Sequence, residues 1–314
     1  MSSLDQSTAV RSPLLTAAAG ANLYVANRVG NTVTVYAPGS TSVLRTISKG
    51  VHKPNALALD GSGNLYVANS NTARVFGSGS KNVLRTISEG VNRPAAEAFD
   101  DSGNLYVANA GGNTVTVYAP GSTSVLRTIS QGVNGPLALA FDSSGNLYVA
   151  NYDPWSVTVY APGSTSVLRT ISQGVDEPRA LAFDGAGNLY VANYGTWTVT
   201  VYAPGSTSAL RTISQALKFP DALAFDDSGN LYVSNALGGR KSGGTVTVYG
   251  PGSTSVLRTI THGVNLPIAL AFDGSGNLYV ANSKTVTVYA PERTSVLRII
   301  SQGLNQPVAL AFGP

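Results

Sequence analysis

A unit of about 42 residues recurs seven times along the chain, and this repeat limits the fold more than any other feature of the sequence. The string NLYVAN, or a near copy of it, ends at Asn27, Asn69, Asn109, Asn151, Asn193, Asn235 and Asn282. Each copy is followed by TVTVY or a variant, and then by VLRTI or a variant. Self-similarity at a fixed period of this length is typical of solenoids and propellers, in which each repeat is one supersecondary unit.

Each repeat predicts four short strands. Residues 137–141 are an apolar example of the first strand, and the Asp-x-Ser-Gly-Asn turn after it is rich in residues that tolerate positive φ. Leu-Tyr-Val predicts the second strand, the alternating Thr-Val-Thr-Val-Tyr the third, and Val-Leu-Arg-Thr-Ile the fourth. Four strands per unit are typical of a propeller blade. We therefore predict an all-β, seven-bladed propeller with four antiparallel strands per blade, in preference to a solenoid with polar capping repeats.

The two ends of the chain indicate how the ring closes. The last residues, PVALAFGP, match the first strand of a repeat without the three strands that should follow it. We expect residues 308–312 to supply the innermost strand of blade 1 and so close the ring. In the alternative, residues 14–18 supply that strand. The predicted organisation is a peripheral segment over residues 1–19 and a single propeller domain over residues 20–314.

The consensus PxALAFDxSGNLYVANxxxNTVTVY resembles the NHL-repeat propellers, and more loosely the wider group that includes gluconolactonase and virginiamycin B lyase. The resemblance covers every repeat. It departs from the NHL pattern at the Asn after LYVA, where such repeats usually carry Asp, and in its seven units, where NHL propellers commonly have six. The resemblance implies the fold but not the activity, because propellers serve as enzymes, lectins and protein-binding platforms alike.

Composition excludes several classes of protein. Only 11% of the residues are charged, where an ordinary soluble domain has about 25%, which argues against a coiled coil or a charged disordered chain. The absence of cysteine excludes disulfides, thiolate metal sites and cysteine nucleophiles. The sequence contains no run of 18 apolar residues, so it predicts no membrane-spanning helix. The net charge of +4 is dispersed, so we do not expect nucleic acid as a partner.

The sparsely charged composition, rich in Ser, Thr, Asn, Gly and Tyr, is compatible with export. We therefore expect an extracytoplasmic or secreted monomer, although the first 20 residues show no recognisable secretory signal.

Residues that deviate from the repeat are the candidates for function. Five aromatic residues lie outside the repeated framework, and they are Tyr152, Trp155, Tyr194, Trp197 and Phe219. The first four lie between second and third strands, and the fifth lies between two blades. Because an up-and-down chain changes face at every strand, both kinds of connection emerge on one face of the ring. We expect all five residues on one arc of blades 4 to 6.

Deviating charged residues share these loops. They are Asp153, Glu177 and Arg179, together with Arg240 and Lys241 in the nine-residue loop of blade 6. Loops on a rigid scaffold are where binding residues concentrate, and exposed aromatic rings suit sugars or protein hot spots. The sequence thus predicts a non-enzymatic scaffold whose ten deviating residues bind a glycan or a protein. The alternative is that the aromatic rings only pack over the blade tops.

We predict no catalytic residues, no metal ligands and no cofactor. His52 and His262 lie at different points of distant blades, so a shared metal site is not expected. Glu97 replaces a repeated Leu, and burial there would raise its pKa. It could pair with Arg74, act as a catalytic acid or be a tolerated defect. Two alternative functions therefore stay open, a lactonase-like hydrolase or lyase at the channel mouth, and an RNA-binding platform of the NHL kind.

One repeated charge is expected to be structural. An Arg recurs in the fourth, outermost strand of every unit, as at Arg169. We expect this Arg to be a solvated charge that discourages pairing between the edges of two molecules.

Overall fold

The computed structural model describes residues 20–236 and 243–314, and within these two ranges the chain forms 28 strands in seven four-stranded sheets. Blade 1 consists of β28 (Pro307–Gly313), β1 (Asn22–Asn27), β2 (Thr32–Tyr36) and β3 (Val43–Ile47). Blade 2 consists of β4 (Ala56–Leu59), β5 (Leu65–Ala68), β6 (Ala73–Phe76) and β7 (Val83–Ile87). Blade 3 consists of β8 (Pro94–Phe99), β9 (Leu105–Asn109), β10 (Thr114–Tyr118) and β11 (Val125–Ile129). Blade 4 consists of β12 (Pro136–Phe141), β13 (Leu147–Asn151), β14 (Ser156–Tyr160) and β15 (Val167–Ile171).

The remaining three blades repeat this pattern. Blade 5 consists of β16 (Pro178–Phe183), β17 (Leu189–Asn193), β18 (Thr198–Tyr202) and β19 (Ala209–Ile213). Blade 6 consists of β20 (Pro220–Phe225), β21 (Leu231–Asn235), β22 (Thr245–Tyr249) and β23 (Val256–Ile260). Blade 7 consists of β24 (Ala269–Phe272), β25 (Leu278–Ala281), β26 (Val286–Tyr289) and β27 (Val296–Ile300). The predicted all-β, seven-bladed propeller is confirmed.

Every blade is an antiparallel meander, and the first strands of neighbouring blades contact one another all the way round the ring. These inner strands therefore surround the axis of the propeller, and the fourth strands form its circumference. In the two described ranges, no helix is long and apolar enough to cross a membrane.

The C-terminal strand closes the ring. β28 pairs antiparallel with β1, which places Leu310 opposite Val25, and Val308 and Ala309 are fully buried. The Tyr24 hydroxyl donates a hydrogen bond of 2.7 Å to the carbonyl oxygen of Pro314. The predicted closure by residues 308–312 is confirmed, because β28 occupies the inner edge of β1. The predicted peripheral segment, residues 1–19, lies outside the described residues.

Small and large side chains alternate along each inner strand, and they form the core between neighbouring blades. Ala138 and Ala140 of blade 4 present small side chains to the larger Leu181 of blade 5. An edge-to-face aromatic pair completes this boundary, with the rings of Tyr148 and Phe183 5.0 Å apart. Equivalent pairs occur at six of the seven boundaries between the described blades. Such pairs stabilise a protein by about 0.5–1.5 kcal/mol beyond the effect of the area they bury. The repeated sequence motif therefore encodes a repeated interface.

The Arg of the outermost strand does not protect the edge as expected. Arg169 turns inward, donates a hydrogen bond of 2.6 Å to the Tyr148 hydroxyl and places its guanidinium 5.6 Å from that ring. The Tyr148 hydroxyl donates in turn to the Asp142 carboxylate over 3.3 Å. The expectation of a solvated charge is wrong because the hydroxyl and the ring replace much of the water around the guanidinium. The exposed side chains of the outer strands include seven identical leucines, namely Leu44, Leu84, Leu126, Leu168, Leu210, Leu257 and Leu297.

Candidate functional site

The loops between blades and the loops between second and third strands meet on one face of the ring. Backbone hydrogen bonds join them, from the Tyr194 N–H to the Glu177 carbonyl over 3.2 Å and from the Ala236 N–H to the Phe219 carbonyl over 3.2 Å. The Tyr152 N–H is bonded in the same way to the Gly135 carbonyl. All the deviating loops therefore border a single face, which we call the loop face.

A buried Asn in each blade holds these loops in place. In blade 5, the Asn193 Oδ1 accepts the backbone N–H of Asp176 over 3.1 Å, and its Nδ2 donates to the Thr200 hydroxyl over 2.9 Å. The Asp176 carboxylate packs against Gly195, where a Cβ would come within 2.6 Å of it. Since the Asn clamp recurs in every blade, side chains can vary on the loop face above an unchanging support.

Three of the five deviating aromatic residues form one cluster across the boundary between blades 5 and 6. The ring of Phe219 lies 5.0 Å from that of Tyr194 and 4.9 Å from that of Trp197, in tilted arrangements of 51° and 54°. Tyr194 and Trp197 belong to the loop of blade 5, whereas Phe219 lies at the entry of blade 6. Phe219 therefore connects the two blades.

Two cations flank these rings. The Arg179 guanidinium carbon lies 4.6 Å from the centre of the Tyr194 ring, and the Lys218 Nζ lies 5.4 Å from that of Trp197. We call Arg179, Tyr194, Trp197, Lys218 and Phe219 the aromatic–cation cluster. Trp197 is 40% exposed and Lys218 is exposed, whereas Tyr194, Phe219 and Arg179 are half-buried. The cluster is therefore open to a ligand from the loop face.

The backbone at the cluster is strained. Trp197 has φ 59° and Phe219 has φ 53°, a left-handed conformation that is an outlier for bulky side chains. In blade 1 the position of Trp197 is taken by Asn31, which is also left-handed and whose Oδ1 accepts the Lys53 N–H over 2.7 Å. Asn113 does the same in blade 3. Trp197 thus replaces a structural Asn by a ring that stacks on the next blade, a substitution that the sequence analysis did not recognise.

The other predicted site residues are not part of the cluster. Tyr152, Asp153 and Trp155 lie in the loop of blade 4, where Asn134 donates to the Asp153 carboxylate over 3.5 Å. Trp155 is 48% exposed, and neither it nor Tyr152 forms a ring contact with any described residue. Glu177 contributes its backbone carbonyl to the loop of blade 5. Arg240 and Lys241 belong to the part of the loop 236–244 that lies outside the described residues.

Glu97 lies in β8 and is only 3% exposed. Neither of its carboxylate oxygens has a hydrogen-bond partner in the described structure, and burial raises the pKa of Glu97 to about 8. The predicted pairing with Arg74 is wrong, because Arg74 donates to the Thr86 hydroxyl instead. A general acid has to reach its substrate, and this carboxyl is enclosed.

Within the described ranges, no three His, Cys, Asp or Glu side chains are grouped so that they could hold a metal ion.

Two further positions, on either side of the proline at the start of each inner strand, were predicted only in part from the sequence. The residues before the proline are Lys53, Arg93, Gly135, Glu177, Phe219, Leu266 and Gln306. The residues after it are Asn55, Ala95, Leu137, Arg179, Asp221, Ile268 and Val308. Each set contains seven different residues in seven blades. A count of variation along the aligned repeats would have found both positions, whereas a search restricted to aromatic and charged deviations found only part of them.

Comparison with solved structures supports the architecture. The chain is similar to the crystal structure of the WD40 β-propeller domain of Doa1, with 15% identity and a TM-score of 0.73, over 93% of this chain and 96% of that chain. It is also similar to the hydrazine synthase of Kuenenia stuttgartiensis, with 16% identity and a TM-score of 0.68, over 82% of this chain and 88% of that chain. At such identities the likeness shows the fold alone. No family model and no curated protein matches the chain.

Proposed function

We propose that this NHL-like propeller is a non-enzymatic, extracytoplasmic and monomeric interaction scaffold, and that the aromatic–cation cluster is the centre of its binding site for a protein ligand. The observation that carries the proposal is the pair Trp197 and Phe219, two bulky residues in left-handed backbone conformation whose tilted rings lie 4.9 Å apart. The scaffold does not require them, because blades 2 and 7 fold with two-residue loops and no aromatic residue there.

The energetics of the cluster favour binding over structural support. A left-handed conformation costs roughly 1–2 kcal/mol for each of the two residues. The two ring contacts of Phe219 return about 0.5–1.5 kcal/mol each, so the cluster adds little net stability. Trp, Tyr and Arg are the residues that dominate protein hot spots, and three of the five cluster members are of these types.

The cations over the rings favour a protein over a glycan. A sugar stacks on an open aromatic face, but Arg179 and Lys218 already lie over the faces of Tyr194 and Trp197. A protein segment can instead offer a carboxylate to the two cations and an apolar side chain to the ring edges. Trp155 is 48% exposed and has no ring contact among the described residues, so it is the ring on which a sugar would stack if the ligand were a glycan.

The test is a selection of peptides from a displayed library of random 12-residue sequences on the intact protein. We expect Trp197→Asn, which restores the residue of blades 1 and 3, to weaken binding of the selected peptides about 10- to 100-fold. The melting temperature should stay unchanged because Asn suits this backbone conformation. The matched control is Leu126→Ala, an exposed leucine on the circumference, which should leave affinity unchanged.

Two results would overturn the proposal. Selected peptides that bind Trp197→Asn as tightly as the wild type would remove the cluster from the site. Binding to a glycan array that is lost in Trp155→Ala, without any peptide selection, would instead assign a sugar-binding site to blade 4.

A further inference from the structure

The residues that flank the inner-strand prolines vary more than most other positions of the repeat. The residue before the proline differs in all seven blades, while most other positions of the repeat keep one dominant residue. Exposure alone is not the reason, because an exposed position of the outer strand has not diverged. The leucine of the outer strand is 50–55% exposed in every blade and is nevertheless identical in all seven. Residues before the proline have therefore diversified more than this exposed position of the same repeat.

The backbone at this position makes the diversity more informative. All seven residues before the proline are left-handed, with φ between 45° and 57°. Glycine adopts this conformation without strain, and blade 4 has glycine there, at Gly135. The other six blades keep a side chain where glycine would be easier. Strained non-glycine residues of this kind are found at functional sites, where the side chain is needed.

These seven residues surround the axis on the loop face, because the inner strands that they precede contact one another around the whole ring. We call them the proline rim. Phe219 of the aromatic–cation cluster is one of its members. The rim thus extends the site of blades 5 and 6 around the mouth of the central channel.

Charge is segregated around this face. The arc of blades 1 to 3 carries the cations Arg28, Lys49, Lys53 and Arg93 against one acid, Glu89. The arc from blade 4 into blade 5 carries the acids Asp153, Asp176 and Glu177, and the cations Arg179 and Lys218 of the aromatic–cation cluster follow it toward blade 6. On blades 6 and 7, which complete the ring, the rim residues are the apolar Phe219 and Leu266. The face therefore offers cationic, anionic and apolar contacts at separate places.

We propose that the proline rim is a binding surface for an extended polypeptide segment that crosses the channel mouth, with acidic residues over blades 2 and 3 and basic residues over the acids between blades 4 and 5. This inference rests on the proposed function, to which it adds the part of the ring beyond the cluster. Polypeptide is the polymer that combines both charges and apolar groups along one chain. RNA, a uniform polyanion, would meet repulsion from the acidic arc.

The test uses the peptides selected on the wild-type protein. The double variant Lys53→Gly/Arg93→Gly carries the residue of blade 4 at both positions, so it relieves strain and should fold at least as stably. We expect it to weaken binding at least tenfold, and we expect the selected peptides to combine acidic and basic residues in separate segments. The control is Lys81→Thr, which removes an exposed cation in the turn between β6 and β7, on the opposite face, and restores the residue of the other blades.

The outcomes separate the two proposals. Loss of affinity in Trp197→Asn but not in Lys53→Gly/Arg93→Gly would overturn the rim and confine the site to blades 5 and 6. Unchanged affinity in both would overturn the proposed function as well. Selection of peptides without charge segregation would contradict the assignment of the two arcs. Tight binding of a single-stranded RNA oligonucleotide that is lost in the double variant would replace the polypeptide by RNA.

Discussion

The boundary between blades 5 and 6 and the boundary between blades 2 and 3 share one framework but deviate from it in opposite ways. Both keep the edge-to-face pair, at 5.0 Å between Tyr190 and Phe225 and at 5.0 Å between Tyr66 and Phe99. The first deviates in its loops, where side chains reach the surface, and the second deviates at Glu97, inside the inner strand.

This difference shows how to interpret deviations in an amplified repeat. A residue that departs from the consensus at the surface can acquire a ligand with little effect on folding. A residue that departs from it inside a blade boundary has nothing to bind, and its effect falls on the free energy of unfolding. Exposure therefore separates candidate function from tolerated damage better than the degree of deviation does.

The largest effect should come from removing the strand on which both boundaries depend. Deletion of residues 308–314 takes away β28, whose residues from Val308 to Ala311 are buried, and leaves blade 1 without its inner strand. We expect the free energy of unfolding to fall by more than about 5 kcal/mol, which would abolish the cooperative transition in denaturant. Deletion of residues 1–11, outside the repeat, should change it by less than about 1 kcal/mol. The reverse order would contradict the assigned closure.

The next largest effect should come from repairing the boundary between blades 2 and 3. Glu97→Leu restores the consensus residue and removes a buried carboxyl without hydrogen-bond partners, so we expect the free energy of unfolding at pH 8 to rise by about 3 kcal/mol. The opposite change, Leu139→Glu, should lower it by a similar amount, since Leu139 is fully buried at the equivalent position of blade 4. Chemical denaturation measures both. No gain in Glu97→Leu would mean that the carboxyl has partners in solution.

The pH dependence of stability should isolate the same carboxyl. Burial raises the pKa of Glu97 from 4.5 to about 8, so the folded state keeps a proton that the unfolded state has lost. Between about pH 5 and pH 8 the free energy of unfolding should therefore fall by about 1.4 kcal/mol per pH unit from this group, and the fall should end above pH 8. Glu97→Gln should be flatter than the wild type by that slope. If the free energies of unfolding of the wild type and Glu97→Gln changed in parallel with pH, the raised pKa of Glu97 would be contradicted.

The smallest effect on stability should come from the boundary between blades 5 and 6. Phe219→Ala removes two ring contacts and part of the strain, so we expect the free energy of unfolding to fall by about 1 kcal/mol or less. Phe225→Ala, at the framework position of the same blade, should lower it by about 3 kcal/mol. Equal losses in the two variants would show that Phe219 is part of the core.

The fold could be predicted almost completely from the sequence, because each blade of a propeller is formed by one continuous repeat and neighbouring repeats form neighbouring blades. Each repeat encodes its own meander, and the incomplete unit at the C-terminus indicates the closure at β28. The inward turn of Arg169 could not be predicted, because it depends on a Tyr hydroxyl two strands away at the same register.

The candidate site could be predicted only in part. Chain direction placed the deviating loops on one face, but it could not show which rings touch. Contact between Trp197 and Phe219 depends on left-handed backbone at both residues, and no sequence rule predicts that conformation for bulky side chains. Trp155 lies at the equivalent point of the preceding blade, where the neighbouring residue is Glu177, and no ring contact forms.

Tryptophan fluorescence tests the central claim most directly, because the chain has only two Trp residues. In Trp155→Phe the remaining emission comes from Trp197, in the aromatic–cation cluster, and in Trp197→Phe it comes from Trp155. On titration with a selected peptide, we predict that the emission of Trp197 shifts to shorter wavelength or is quenched as its exposed side is covered, with saturation at the dissociation constant of the peptide. Saturable binding that leaves the emission of Trp197 unchanged would contradict the claim that the cluster is the centre of the site.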